Sequence, residues 1–157
     1  MIRVDRRLVR ADPGRMFACA SDVERWPEWL RHYRWVRFLE RVPGGGLVEM
    51  AAWRTFGPLR YPTWWVSEMR IDPAAPAVRY RHVRGITRGM DVEWAFAPAA
   101  GGVAVTVTHR WHGPAWPLVG ALAASLVIGP VFIHGIAQRT LAGLARVAER
   151  AGGGLIG

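Results

Sequence analysis

The sequence predicts an α+β domain in which a curved, seven-stranded antiparallel sheet wraps one long C-terminal helix, with two short helices after the first strand. Three observations predict it. Apolar residues recur with period two from about residue 32 to residue 112, and the short Gly- and Pro-bearing turns between these runs make consecutive strands antiparallel. After Pro117 the period lengthens to that of a helix and holds to about Ala151. The 157 residues suffice for one domain, which at this size buries about two thirds of the surface its unfolded chain exposes.

Residues 2–10 read as the first strand. Asp12 before Pro13 is an N-cap followed by the first helical position, opening a helix to about Ala20. Ser21-Asp22 is read as the cap of a second short helix to about Leu30, with Pro27 tolerated in or near its first turn. Six strands follow, near 32–42, 47–56, 61–72, 77–84, 90–97 and 103–112. Their punctuation is Pro43-Gly44-Gly45-Gly46, Gly57-Pro58, Asp72-Pro73, Gly85 and Gly101-Gly102. The alternation Val103, Val105, Val107, His109, Trp111 beside Val92, Trp94, Phe96 buries one face of each strand. The final helix is interrupted at Gly129-Pro130, where the missing backbone donor predicts a kink or split. No linker or repeat divides residues 1–151, and residues 152–157 read as a flexible Gly-rich tail.

Residues 114–137 carry no charge, and a run of about 20 apolar residues spans a bilayer. Gly129-Pro130 and His134 break the run, however, and a spanning helix would leave the sheet's apolar face uncovered. The segment therefore reads as the cover of the sheet, with contact to a membrane surface left open. A lone Cys19 excludes an internal disulfide, and with no basic-then-apolar leader the expected compartment is the cytoplasm, peripheral association with its membrane left open.

The net charge of +9 invites a nucleic-acid reading. Its distribution argues against one. All 21 basic residues are Arg, none stands in a run longer than two, and most alternate along strands as a solvated sheet face would have them. Anionic headgroups or an acidic carrier protein remain compatible partners. Nine Trp are more than a core of this size needs, and large aromatic rings stack on planar ligands as well as filling cores.

One strand, two short helices, six strands and a long helix is the element order of the helix-grip fold. Asp22-Val23-Glu24-Arg25-Trp26-Pro27-Glu28-Trp29-Leu30 followed by Tyr33 resembles a segment of the START-like (SRPBCC) superfamily, in particular its polyketide cyclase/dehydrase (aromatase/cyclase) and coenzyme Q-binding branches. Trp64-Trp65-Val66-Ser67 is similar to an aromatase/cyclase strand, and Ile136-Ala137-Gln138-Arg139-Thr140-Leu141 with Leu144 and Glu149 to the final helix. The resemblance implies an apolar internal cavity, which for a small molecule means roughly 300 Å³ or more. It also implies Trp26, Tyr33, Trp65 and Ser67 as lining residues, with Met69 next on the same face. Met69 stands where aromatase/cyclases carry a basic residue, and it can neither donate a hydrogen bond nor hold a charge. Arg54, His82 and Arg84 are the candidates to replace it.

Strand parity adds His82, Trp94 and His109 to the inward set, and the helix adds Phe132 and Ile136. Tyr33, Ser67 and His82 are the candidate catalytic residues, because a phenol, a hydroxyl and an imidazole can donate to a carbonyl or move a proton. Each also has a structural reading as a satisfied core residue. His32 and His112 read as solvated loop residues. The His109/His112 spacing suits no metal, and neither a metal nor an organic cofactor is expected, since nucleotide-binding and nucleophile-elbow motifs are absent. Two functions follow: an aromatase/cyclase that folds and dehydrates a polyketide-like substrate, and a non-catalytic carrier of a lipid or quinone.

Overall fold

The computed structural model describes residues 1–113 and 129–152, with backbone alone at residue 56 and at residues 129–134 and 151–152. The elements are β1 (Ile2–Val9), α1 (Pro13–Ser21), a 3-10 turn (Val23–Arg25) and α2 (Trp26–Trp29). The strands β2 (Tyr33–Val42), β3 (Gly45–Phe56), β4 (Leu59–Asp72), β5 (Ala77–Gly85), β6 (Asp91–Ala99) and β7 (Gly102–Arg110) precede α3 (Gly129–Gly152). All seven strands form one antiparallel sheet in the order β1-β7-β6-β5-β4-β3-β2. The predicted helix-grip architecture is the observed one.

Local chemistry accounts for the short helices. The Asp12 carboxylate accepts the Arg15 amide at 3.1 Å and Pro13 takes the first turn, where a missing N–H costs nothing. The second cap forms differently from the expectation. Ser21 ends α1 and donates to the Phe17 carbonyl at 2.7 Å, and Asp22 makes no side-chain cap, so the chain continues as a 3-10 turn and one α-turn.

The period-two pattern produces the inner face. Val103, Val105 and Val107 of β7 are fully buried, opposite Pro98, Phe96 and Trp94 of β6. Irregular register between Tyr33 and Trp35 and between Phe38 and Glu40 in β2, and between Val66 and Ser67 in β4, adds local twist and bends the sheet around α3. Helix α3 presents Ala137, Leu141, Leu144, Ala145 and Ala148 at helical spacing, all buried. Removing Leu141 and Leu144 from water contributes about 1.5–3 kcal/mol each. At the far side the Gln138 amide donates to Asp5 at 3.2 Å and Glu149 accepts the Arg10 amide at 3.1 Å, fixing the helix to the β1 end.

Gly129-Pro130 stands at the start of the described helix, so the expected kink there and residues 114–128 before it lie outside the described residues. Residues 153–157 of the expected tail do too. No helix among the described residues is long and apolar enough to cross a membrane.

Gly85 is required by a close approach. It has φ +98° and lies opposite Trp65, and a Cβ there would fall against the Trp64 carbonyl oxygen and the Trp65 Cα. We expect Gly85→Ala to destabilise the fold by about 1–3 kcal/mol, read as a lower midpoint in urea, because backbone rather than a flexible side chain must move.

Candidate ligand-binding site

Six strands and two helices each deliver side chains to one interior space. Met50 of β3 lies opposite Trp65 of β4, and Tyr80 of β5 lies opposite Val92 of β6, which in turn faces His109 of β7. These positions share the concave face because side chains alternate along each strand. Trp26 enters from α2, and Ile136, Ala137 and Thr140 close the space from α3. The cavity holds about 80 Å³. It is smaller than expected, because the aromatic rings and Met50 and Met90 occupy the centre themselves.

The rings form a continuous chain. Trp94 and Trp26 have centroids 6.0 Å apart, Trp26 meets Tyr33 edge-on at 5.3 Å, Tyr33 meets Trp65 edge-on at 6.3 Å, and Trp65 lies parallel to His82 at 5.9 Å. The Trp26 indole N–H donates to the Cys19 carbonyl at 3.1 Å, so its face is free of polar demand. Cys19 is half-buried and its thiol pKa is pushed up mainly by burial, the behaviour of a packing residue.

Of the expected lining residues, Trp26, Tyr33, Trp65, His82, Trp94, His109 and Ile136 lie on the cavity wall. Ser67 and Met69 share the Trp65 face but are packed beneath it, at 0% and 2% exposure, and neither reaches the cavity. The Phe132 side chain lies outside the described residues. Arg84 points to solvent, and Arg54 is buried off the wall. His32 corrects its solvated reading: it is half-buried, 4.7 Å from the Tyr33 ring and 3.0 Å from Thr140 Oγ1. Sequence reasoning missed Met50, Tyr80, Thr87, Met90, Val92, Ala137 and Thr140 as lining residues. Tyr80 had a legible signal, since it shares parity with His82.

Among the described residues, none of those lining the cavity carries a formal charge at neutral pH. Thr140 donates its one hydroxyl proton to the Ile136 carbonyl at 2.7 Å, which leaves Oγ1 as acceptor for the Tyr33 hydroxyl at 3.3 Å. Burial raises the Tyr33 and Tyr80 phenol pKa values and keeps both protonated. Burial lowers His82 to about 3 and His109 to about 4, with His109 adding to the effect on His82. Both imidazoles are therefore neutral. His82 Nδ1 is tied to Thr87 Oγ1 at 2.6 Å, so its other nitrogen is the one left for a ligand. The Tyr80 hydroxyl and His109 Nδ1 are buried with no hydrogen-bond partner among the described residues. No group of three metal-binding side chains occurs among those residues.

The buried imidazoles have a consequence for stability. An unfolded imidazole titrates near 6.5, so between there and about 4 the unfolded chain takes up protons that His82 and His109 refuse. Stability should hold above pH 6.5 and fall as the pH drops from 6.5 toward 4. Urea unfolding at stepped pH should show this decline; burial and then Arg139 lower His32 to about 4 as well, so the double variant His82→Gln, His109→Gln should make the decline above pH 5 clearly shallower and leave the share that belongs to His32.

The family model for polyketide cyclase / dehydrase and lipid transport matches residues 9–129. Among solved structures, TTHA0849 from Thermus thermophilus superimposes with a TM-score of 0.79 at 20% identity, covering 96% of this chain and 99% of that one. The Zhui aromatase/cyclase from Streptomyces sp. R1128 gives 0.79 at 20% identity, over 96% and 95%. A START superfamily protein from Mycobacterium smegmatis gives 0.70 at 15% identity, over 96% and 98%. At these identities the likeness is one of fold. No curated protein matches this chain at a significant level.

Proposed function

The chain belongs to the polyketide cyclase/dehydrase and lipid-transport family, and on that premise we propose that it binds an uncharged, oxygen-bearing hydrophobic molecule of polyketide type between the sheet and α3. The observation that carries this reading is the pair of groups without a partner among the described residues, the Tyr80 hydroxyl and His109 Nδ1, set in an aromatic wall. A buried polar group left unpaired costs about 1–3 kcal/mol, and a ligand carbonyl or hydroxyl relieves that cost. An ionised ligand group would meet no countercharge there, and burying a lone charge costs far more. The ligand enters by moving Met50 and Met90, whose unbranched chains change rotamer readily.

Where the ligand is a poly-β-ketone, ring closure removes a proton from a methylene flanked by two carbonyls, joins that carbon to a further carbonyl and protonates the new alkoxide. Dehydration removes the second proton of the same carbon, forms the carbon–carbon double bond and expels the oxygen, protonated once more, as water. In this reading His82 takes the methylene proton and Tyr80, whose hydroxyl has no partner among the described residues, donates to the oxygen. Burial makes His82 a weak base, so holding the chain folded between the rings supplies more of the rate than proton transfer does. The lack of any ionised lining residue favours a second reading, a non-catalytic carrier of a quinone or lipid. Neither reading calls for a metal or an organic cofactor.

Native mass spectrometry of the purified protein tests the ligand class directly: a co-purified neutral oxygenated molecule supports the first reading, and an intact lipid or quinone the second. Trp65→Ala should weaken binding of that ligand by about 1–3 kcal/mol in a fluorescence titration, while thermal melts show a folded protein. Ser67→Ala should leave affinity unchanged and be neutral or slightly stabilising, since its buried hydroxyl has no partner among the described residues.

A further inference from the structure

We propose that the β3–β4 hairpin and the outer sheet face beside it form a docking surface for anionic lipid bilayers. The surface uses none of the cavity residues and stands independently of the ligand reading.

At the hairpin, Leu59 is 66% exposed and Tyr61 41% on the side that shares the parity of Trp65, and Trp64 is 39% exposed on the outer side, so the hairpin carries large apolar groups on both of its faces. The residues behind them are cationic. Trp53 of β3 has the Arg34 guanidinium of β2 at 4.6 Å from its ring centroid and the Arg60 guanidinium of β4 at 4.2 Å. Arg34 also lies 4.8 Å from the Trp35 ring. Stacking on the indoles holds these guanidinium groups in place and leaves their donor edges available to phosphate oxygens.

Carboxylates are missing from the surface. No Asp or Glu occurs in residues 29–39 or 50–67. Glu49, which borders the patch, is 8% exposed and already accepts the Trp35 indole at 2.9 Å and Arg37 Nε at 2.6 Å. The patch therefore presents positive charge to solvent, complementary to an anionic partner.

An apolar tip with Trp and Tyr flanked by Arg matches the chemistry of a bilayer interface, where rings and an aliphatic tip enter the headgroup layer and Arg pairs with lipid phosphate. A soluble acidic protein would satisfy the Arg residues and leave Leu59 without a purpose. The site is also placed to serve the cavity. Arg139 of α3 donates to Thr55 of β3 at 2.7 Å, beside Thr140 on the cavity wall, so docking brings the helix turn that closes the cavity to the membrane.

The test is co-sedimentation of the full chain with vesicles of pure phosphatidylcholine and of phosphatidylcholine mixed with phosphatidylglycerol. Binding is expected to the anionic vesicles alone and to weaken with added salt. Leu59→Glu and Arg60→Glu should each reduce it about tenfold or more, with melting unchanged because both sites are exposed. Arg6→Glu on β1 removes the same charge elsewhere and should change it about twofold or less. No preference for anionic vesicles would overturn the proposal. So would equal losses in Arg60→Glu and Arg6→Glu, which mean attraction by net charge alone. Retention on polyglutamate without vesicle binding, lost in Leu59→Glu, would assign the surface to an acidic protein instead.

Discussion

The packing of one apolar helix stripe into the hollow of a bent sheet governs what this molecule can do. Leu141, Leu144, Ala145 and Ala148 are the side on which α3 meets the concave face, and they are nearly or wholly excluded from water. Sheet curvature and helix position are thus one feature: a flatter sheet would close on the helix and leave no interior, and a helix held farther out would flood it. The observed balance leaves a narrow, dry space at the α2 end of the helix, where the stripe changes from Leu to Ala137, Thr140 and Ile136.

Dryness then decides the chemistry. Two phenols and two imidazoles face that space, and in water the imidazoles would titrate close to neutrality. Desolvation pushes each pKa away from neutral, upward for Tyr and downward for His, so all four remain uncharged. The result is a surface of neutral donors and acceptors between aromatic rings, suited to carbonyls and hydroxyls and hostile to carboxylates. Met69, at the position where a basic residue was expected, lies under the floor, and the described cavity wall carries no cation.

Much of the fold was legible because its determinants are local and periodic. Alternation in β6 and β7, the Asp12-Pro13 cap and Gly-bearing turns each act within a few residues, and strand limits fell within about two residues of the observed ones. Parity placed Trp94, His82 and His109 inward for the same reason, and the family resemblance supplied Trp65. Depth along the inward face was illegible. Ser67 and Met69 share parity with Trp65, but whether an inward residue meets the cavity or the packed floor depends on where α3 crosses, a nonlocal fact. His32 failed similarly: a loop position next to Tyr33 carried no sign that Thr140, more than a hundred residues later, would supply its partner. The expected volume failed because ring sizes counted as lining were also filling.

Six of the nine Trp divide between the interior space and the outer face of the sheet. Trp26, Trp65 and Trp94 line the interior, where their rings meet other rings and the Trp26 N–H is satisfied by backbone. Trp35, Trp53 and Trp64 belong to the outer face, where the partners are guanidinium groups and the buried carboxylate of Glu49. Burial alone would push Glu49 toward its neutral form, but hydrogen bonds from Trp64, Trp35 and Arg37 outweigh it and hold the carboxyl pKa below its ordinary value. Adjacent residues Trp64 and Trp65 thus serve opposite solvents through the alternation of one strand. Arg34 and Arg60 stand on the outer side, where the Trp53 ring holds them, and the described cavity wall on the other side of the same strands carries no Asp, Glu or Arg.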